Sequence, residues 1–125
     1  MNICLSNRQG ELYMSVMQRS ADIMLGLPWD ITQYSILLFL IAKALDLKPK
    51  QLNWFIHDAH IYENHRNITG YFLENVRGRF IESKQELVFN NYPQGFNNLV
   101  NIPWMFDVEF PDYKPYMKLK VPYNV

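Results

Sequence analysis

The segment Ser35-Ile36-Leu37-Leu38-Phe39-Leu40-Ile41-Ala42 is apolar on nearly every side of a helix, and this limits what the chain can fold into. A helix without a polar stripe has to be enclosed rather than laid on a surface. Asp30 or Thr32 is expected to cap it, because either side chain can accept a backbone N–H of the first turn. It is expected to run to about Leu45. The enclosing layer reads as β. Leu12, Met14 and Val16 alternate with Tyr13, Ser15 and Met17, the pattern of a buried strand over residues 11–18 that is apolar on both faces. Asn7 to Gly10 supplies the turn before it, and Gly26 and Pro28 break the pattern after Asp22. Leu47-Lys48-Pro49-Lys50 reads as a turn, and Gln51 to Ile56 as a short strand with Trp54 and Phe55 as its bulk. A second helix is expected over His60 to Asn75, with Asp58 as N-cap and with Glu63, His65 and Arg66 on its surface. Val76 to Lys84 reads as loop, Glu86 to Phe89 and Met105 to Phe110 as strands, and Asn90 to Asn101 as irregular. Met117 to Val121 reads as a half-exposed terminal strand. The fold class is therefore α+β: a mostly β layer with one buried helix and one more exposed helix.

At 125 residues, 49% of them hydrophobic, the chain is one domain or part of one, with ample material for a core. Lys plus Arg and Asp plus Glu balance at 12 each, which leaves no electrostatic footprint for nucleic acid or an anionic membrane. The longest apolar run, Ile36 to Ala42, is too short to span a bilayer. The first residues lack the apolar core and cleavage site of a targeting signal. A single cysteine, Cys4, excludes an internal disulfide and fits a reducing, cytoplasmic compartment. The 8 Phe, 8 Tyr and 3 Trp are more large apolar surface than a small chain hides. Some of it is expected to meet a partner subunit or a missing N-terminal part.

Two clusters carry the chemistry. In Gln18-Arg19-Ser20-Ala21-Asp22, followed by Leu25-Gly26-Leu27-Pro28-Trp29-Asp30, a fixed cation, a hydroxyl and two carboxylates stand together. A guanidinium matches phosphate oxygens in a bidentate fork, and a neighbouring hydroxyl adds a donor. The plain alternatives are a surface arginine in a salt bridge, a turn-forming Asp22 bonded to nearby backbone N–H groups, and Asp30 as a helix cap. Asp58-Ala59-His60-Ile61-Tyr62 adds an imidazole and a phenol. On a strand His60 and Tyr62 would share a face, whereas at a helix start they would diverge. The plain alternative for each is a buried polar aromatic with a satisfied hydrogen bond. His57, His60 and His65 match no metal-ligand spacing, so no metal is expected. Cys4 has nothing nearby to activate it and reads as a small hydrophobe.

Together the two clusters resemble the thymidylate synthase family. Gln18 to Asp22 with Leu25-Gly26-Leu27-Pro28 is similar to that family's central motif, and Asp58-Ala59-His60-Ile61-Tyr62-Glu63-Asn64-His65 to its sugar-binding motif. The likeness runs from about Ile3 through Asn75 and returns in the tail. It implies a thymidylate synthase-like mixed sheet packed on a buried central helix, and residues 1–125 as the C-terminal part of one such domain. The activity implied is transfer of a one-carbon unit from 5,10-methylenetetrahydrofolate to carbon 5 of a pyrimidine deoxynucleotide, dUMP to dTMP, by an obligate homodimer. Arg19 and Ser20 would bind the phosphate. Asp22 would bond the pyrimidine through its backbone and the folate through its carboxylate. Ala21 and Ile61 would line the nucleotide. Leu25, Gly26 and the tail residue Asn124 would contact folate, and His60 and Tyr62 would bond the deoxyribose hydroxyl.

The chain departs from the family pattern in three places. The nucleophilic Pro-Cys-His of the family would fall just before Met1, so no catalytic cysteine is expected within the chain, and Cys4 does not align with it. The chain is then expected to be inactive alone and to act, if at all, with a complementary N-terminal half. His57 replaces a glycine of the pattern, and the tail Val121-Pro122-Tyr123-Asn124-Val125 runs differently. Asp30 stands where synthases carry an asparagine that reads the base, as it does in deoxycytidylate hydroxymethylases of the same superfamily. A protonated carboxyl complements cytosine, with O–H to N3 and carbonyl to the amino group. Against uracil it leaves O4 without a donor, which costs roughly 1–3 kcal/mol. The dCMP hydroxymethylase reading therefore stands beside the dUMP reading.

Overall fold

The computed structural model describes residues 1–76, 88–90, 95, 107–109 and 120–122. These fall into two compact units, the first ending at His60 and also holding Gly95, the second comprising the other described residues from Ile61 onward.

The first unit is a three-stranded mixed sheet with a helix on one face. Strand β1 (Asn2–Arg8) pairs antiparallel with β2 (Glu11–Asp22), and β2 pairs in parallel with β3 (Lys48–His60). The hairpin between β1 and β2 turns on two residues, Gln9 and Gly10, both left-handed at φ 53° and 84°. That is the backbone of the tight turn whose twist matches its strands, and glycine adopts it without a steric penalty. Sequence patterning assigns no strand to residues 2–8, because every side chain there is exposed and none alternates by burial.

Helix α1 (Gly26–Ala44) connects the two parallel strands. It starts well before the expected Asp30 or Thr32. Leu25 is the N-cap and offers no side-chain hydrogen bond. Pro28 lies in the first turn, where its missing N–H is not needed by the helix. Thr32 donates its hydroxyl back to the Pro28 carbonyl at 2.8 Å. The helix ends in a left-handed Asp46 at φ 54°, with Leu47 N–H bonded to the Ala42 carbonyl (2.8 Å) and Asp46 N–H to the Lys43 carbonyl (3.3 Å). This paired closure is the usual way to satisfy the last carbonyls of a helix, and it returns Leu47 to the core.

The turn expected over residues 47–50 is instead the start of β3. Pro49 pairs with Leu12 at a register shift, and the next pairing is Tyr13 with Gln51. A proline that donates no ladder bond is tolerated at such an irregularity on an edge strand. Leu12, Met14 and Val16 of β2 pack on Tyr34, Leu38, Ile41 and Ala42 of α1, with Leu37, Leu47, Leu52 and Trp54 at the margin. The outer face is open and mixed, not apolar as the alternation expects: Tyr13 with Gln51 and Ser15 with Asn53 share it with Met17 and Phe55, which are register partners and each 61% exposed.

The second unit contains a 3-10 turn (Glu63–His65), α2 (Arg66–Val76) and a two-stranded antiparallel ribbon, β4 (Val88–Asn90) with β5 (Asp107–Glu109). The helix expected from His60 thus begins six residues later, because Asp58 to His60 complete β3. His65, read as a surface residue, is fully buried. Its Nε2 lies 2.7 Å from the Pro122 carbonyl, which can only accept, so this nitrogen carries the proton. Lys120 to Pro122 has no regular structure. The remainder of that expected terminal strand, and the loop over residues 77–84, lie outside the described residues. Helix α2 buries no residue fully, whereas α1 buries Tyr34, Leu38, Leu40, Ile41 and Ala42. Helix α1 is covered on its sheet side and not all round as its apolar sequence expects, since Trp29, Ile31 and Phe39 are exposed.

Met14 sits at 0% exposure between β2 and α1. Met14→Ala is expected to lower unfolding stability by about 2–5 kcal/mol, read from the midpoint of urea denaturation. A loss under ~0.5 kcal/mol would place the core elsewhere.

Candidate functional site

Strand β2 alternates its side chains between the helix face and the outer face. With Leu12, Met14 and Val16 facing the helix, Gln18 and Ser20 follow on the same side. Gln18 is therefore a half-buried primary amide at the margin of the core, and all its polar atoms find partners. Its Oε1 accepts from the Tyr34 hydroxyl (2.9 Å) and the Trp54 indole N–H (3.1 Å). Its Nε2 donates to Asp30 Oδ2 (2.7 Å) and to the Ser20 carbonyl (3.0 Å). The rings of Tyr34 and Trp54 meet edge to face at 5.6 Å. One side chain thus joins the end of β2, the second and third turns of α1, and β3.

The two sequence clusters lie side by side because β2 and β3 are parallel. Ser20 pairs with Asp58, Ala21 with Ala59, and Asp22 with His60. Ile23 N–H bonds the His60 carbonyl at 2.9 Å. Asp22 Oδ1 accepts from Met24 N–H at 3.0 Å, so the plain reading of a turn-forming aspartate describes that oxygen. The cap reading of Asp30 does not hold: it is the fifth residue of α1. A Cβ added at Gly26 would stand 3.8 Å from both Asp22 Cβ and Asp30 Oδ2. Gly26 and the two aspartates therefore surround one small space at the helix start. Leu25 lies beside it as the helix N-cap.

Asp58 Oδ2 is 3.5 Å from His60 Nδ1, an open pairing with both groups partly in water. Arg19 alternates with Gln18 and Ser20, is exposed, and leaves β2 from the outer face. Gln18, Ser20, Asp22, Gly26, Asp30 and His60 are brought to one end of the sheet, and Arg19 reaches that end from the opposite side. Ala21 is buried at 5%. Ile61 and Tyr62 belong to the second unit, where Tyr62 has extended backbone and its ring meets His65 at 5.8 Å. Asn124 lies outside the described residues. Cys4 is exposed on β1 and pairs with Ser15, on the face opposite Gln18.

Gln18 opens the first sequence cluster, but sequence reading gives it no role in the site. The available signal was its parity: an amide at the fourth position of a buried alternation needs partners for two donors and two lone pairs. The electrostatics agree with the geometry. Burial pushes the Tyr34 phenol above the ordinary tyrosine range, and the charge of Asp30 adds to this. Among the described residues no three His, Cys, Asp or Glu side chains gather as metal ligands would, and no helix is long and apolar enough to cross a membrane. An open groove lined by Leu5, Leu12, Leu45 and Leu47 lies at the other end of β2 and carries no ionisable side chain.

Comparison with known proteins bears on this arrangement. The family model described as thymidylate synthase matches residues 1–125. The chain is similar to a bifunctional dihydrofolate reductase-thymidylate synthase of Leishmania amazonensis, 33% identical over 117 residues, which are 94% of this chain and 21% of the relative. It is 35% identical over 104 residues to a thymidylate synthase of Fusobacterium nucleatum, covering 83% of this chain and 34% of that one. A thymidylate synthase of Mycoplasma pneumoniae is 50% identical over 58 residues, 46% of this chain and 20% of the relative. The matches thus span between 20% and 34% of the length of these relatives.

The Tyr34 phenol offers a direct check. It should titrate above the other tyrosines in 13C-labelled NMR, and Asp30→Asn should bring it part of the way back, because burial remains. A folded-state value above the unfolded one means stability is present below pH ~10 and is lost as pH rises through the folded value. Titration of Tyr34 with the solvent-exposed tyrosines would contradict the buried network.

Proposed function

We propose, because this chain belongs to the thymidylate synthase family, that it supplies the nucleotide- and folate-binding part of a site that alkylates carbon 5 of a pyrimidine deoxynucleoside monophosphate. The one-carbon donor is 5,10-methylenetetrahydrofolate, and the first reading is dUMP to dTMP. The observation that carries it is the parallel register that sets Asp22 beside His60, with Asp30 held nearby by Gln18. In this reading Arg19 and Ser20 bind phosphate, and Asp30 reads the base edge. The backbone of Asp22 with Ala21 and Ile61 lines the nucleotide. His60 and Tyr62 bond the deoxyribose hydroxyl. The Asp22 carboxylate, Leu25, Gly26 and Asn124 face the folate. Residues 1–125 form the C-terminal part of one thymidylate synthase-like domain, working in the cytoplasm as a homodimer or with a complementary chain.

The chemistry begins when a cysteine thiolate adds to carbon 6, which makes carbon 5 a nucleophile toward the methylene carbon. Cys4 does not serve this step, since it leaves the sheet on the face away from Gln18 and Asp30. The polypeptide of residues 1–125 is accordingly expected to form no dTMP or hydroxymethyl-dCMP from substrate and methylenetetrahydrofolate. Either product, detected by chromatography above a protein-free blank, would refute this.

A second reading, dCMP with hydroxymethyl transfer, is favoured by one observation. Residue 30 is a carboxyl rather than an amide, and a carboxyl lacks the N–H that uracil O4 requires. Binding tests both readings. Adding dUMP or dCMP to the 15N-labelled chain is expected to shift resonances of Arg19, Ser20, Asp22, Asp30 and His60. Asp30→Asn is expected to move the dUMP-to-dCMP affinity ratio toward dUMP by about tenfold or more. Shifts confined to other residues would overturn the site. An unchanged ratio in a chain that binds dUMP well would remove the cytosine reading.

A further inference from the structure

We infer that Gln18 is a specificity-positioning residue: its side-chain amide, locked by Tyr34 and Trp54, holds Asp30 Oδ2 as an acceptor and so decides how the carboxyl presents itself to a pyrimidine. The inference rests on the reading of Asp30 as the base-edge residue and goes beyond it. It identifies what orients that residue.

An amide of unknown orientation would prove little, because its oxygen and nitrogen can exchange places. Here the neighbours settle the assignment. The Trp54 indole nitrogen can only donate, so the Gln18 atom 3.1 Å from it is the oxygen. The Tyr34 hydroxyl has an amide oxygen at 2.9 Å and the Met1 thioether at 3.0 Å. Its single proton goes to the amide oxygen, the much stronger acceptor. With Oε1 occupied by two donors, Nε2 must face the other way, toward the Ser20 carbonyl at 3.0 Å and Asp30 Oδ2 at 2.7 Å. Both are acceptors, so no donor meets a donor anywhere in the chain of contacts.

The consequence falls on Asp30. An oxygen that receives an N–H at 2.7 Å is a poor place for a proton, since an O–H aimed at that nitrogen would oppose another hydrogen. If the carboxyl is protonated to pair with cytosine, its proton therefore sits on Oδ1. Oδ2 keeps a second lone pair for a ligand amino group. If it is ionised, both oxygens only accept, and the bond at Oδ2 fixes the plane of the carboxylate. In the protonated form the base thus meets one arrangement of donor and acceptor instead of two that interchange. Gly26 lies alongside, since a Cβ there would stand in ordinary van der Waals contact, 3.8 Å from the same oxygen.

The experiment has a ligand-free arm and a nucleotide arm, both on the full 125-residue chain. In the first, 15N NMR follows the Gln18 side-chain amide and the Trp54 indole N–H. The Gln18 amide protons are expected to exchange slowly with water and to shift with pH. Asp30→Asn is expected to abolish the pH dependence, and Gln18→Met to move the Trp54 indole proton. Rapid exchange with no pH response would overturn the lock. In the second arm, dCMP and dUMP affinities are compared. Whatever preference the wild type shows is expected to shrink by about tenfold in Gln18→Met. The double variant Tyr34→Phe with Trp54→Phe keeps Gln18 and Asp30 but frees the amide to turn, and it is expected to lose the same discrimination. A preference unchanged in both variants overturns the proposal even if the ligand-free arm succeeds. Binding of neither nucleotide by the wild type fails the underlying reading, and the ligand-free result then shows whether the lock itself stands.

Discussion

Two neighbouring parallel strands cannot be joined by a tight turn; the chain between them must travel back along the sheet. Helix α1 makes that return here, and its lack of a polar stripe is what fastens it to β2. Leu12, Met14 and Val16 meet Tyr34, Leu38, Ile41 and Ala42, and this contact seats the helix on β2. Because the strands run the same way, residues about forty positions apart in the chain arrive together. Asp22 stands beside His60 and Ser20 beside Asp58. A slip of one residue would turn every side chain of β3 to the other face and separate the clusters.

The same alternation that builds the core also builds the polar cluster. The helix-facing row of β2 passes from Leu12, Met14 and Val16 to Gln18 and Ser20 without a break in geometry. At Gln18 the core stops being apolar, and an amide, a phenol, an indole and a carboxylate satisfy one another. A network of half-buried polar groups that pair with one another rigidifies its surroundings. This one lies at the end of the sheet where the helix begins, so it passes the rigidity of the core to Asp30. On the proposed reading of Asp30 as the base-edge residue, that rigidity matters because a base edge is a pattern of donors and acceptors, and a mobile reader cannot distinguish patterns that differ by one proton.

Much of this was legible in the sequence, and the misses have physical causes. The apolar helix was legible because nothing polar interrupts residues 36–42, although its far side is exposed at Phe39. The strand over residues 11–18 was legible by alternation, and the breakers Gly26 and Pro28 placed the end of its pattern after Asp22, where β2 ends. Asp30 looked like a cap because Gly26 and Pro28 look like breakers. Both residues are tolerated in a first helical turn, where few backbone N–H groups are bonded. Pro49 concealed the start of β3 for a related reason, since it occupies a register shift that only pairing reveals. His65 looked solvent-facing on the expectation of a helix from His60. With β3 continuing through His60, the ring turns inward to the Pro122 carbonyl. The placement of Arg19 on the outer face followed from parity once the strand was extended.

The central claim is that the two clusters form one mould for a pyrimidine mononucleotide. A crystal structure of the chain soaked with dCMP or dUMP tests it most directly. The claim requires the base edge within hydrogen-bond distance of Asp30 and the sugar hydroxyl near His60, with the phosphate at the strand end by Ser20 and Arg19. A nucleotide bound in the Leu5–Leu47 groove, or against the outer face at Met17 and Phe55, would contradict it.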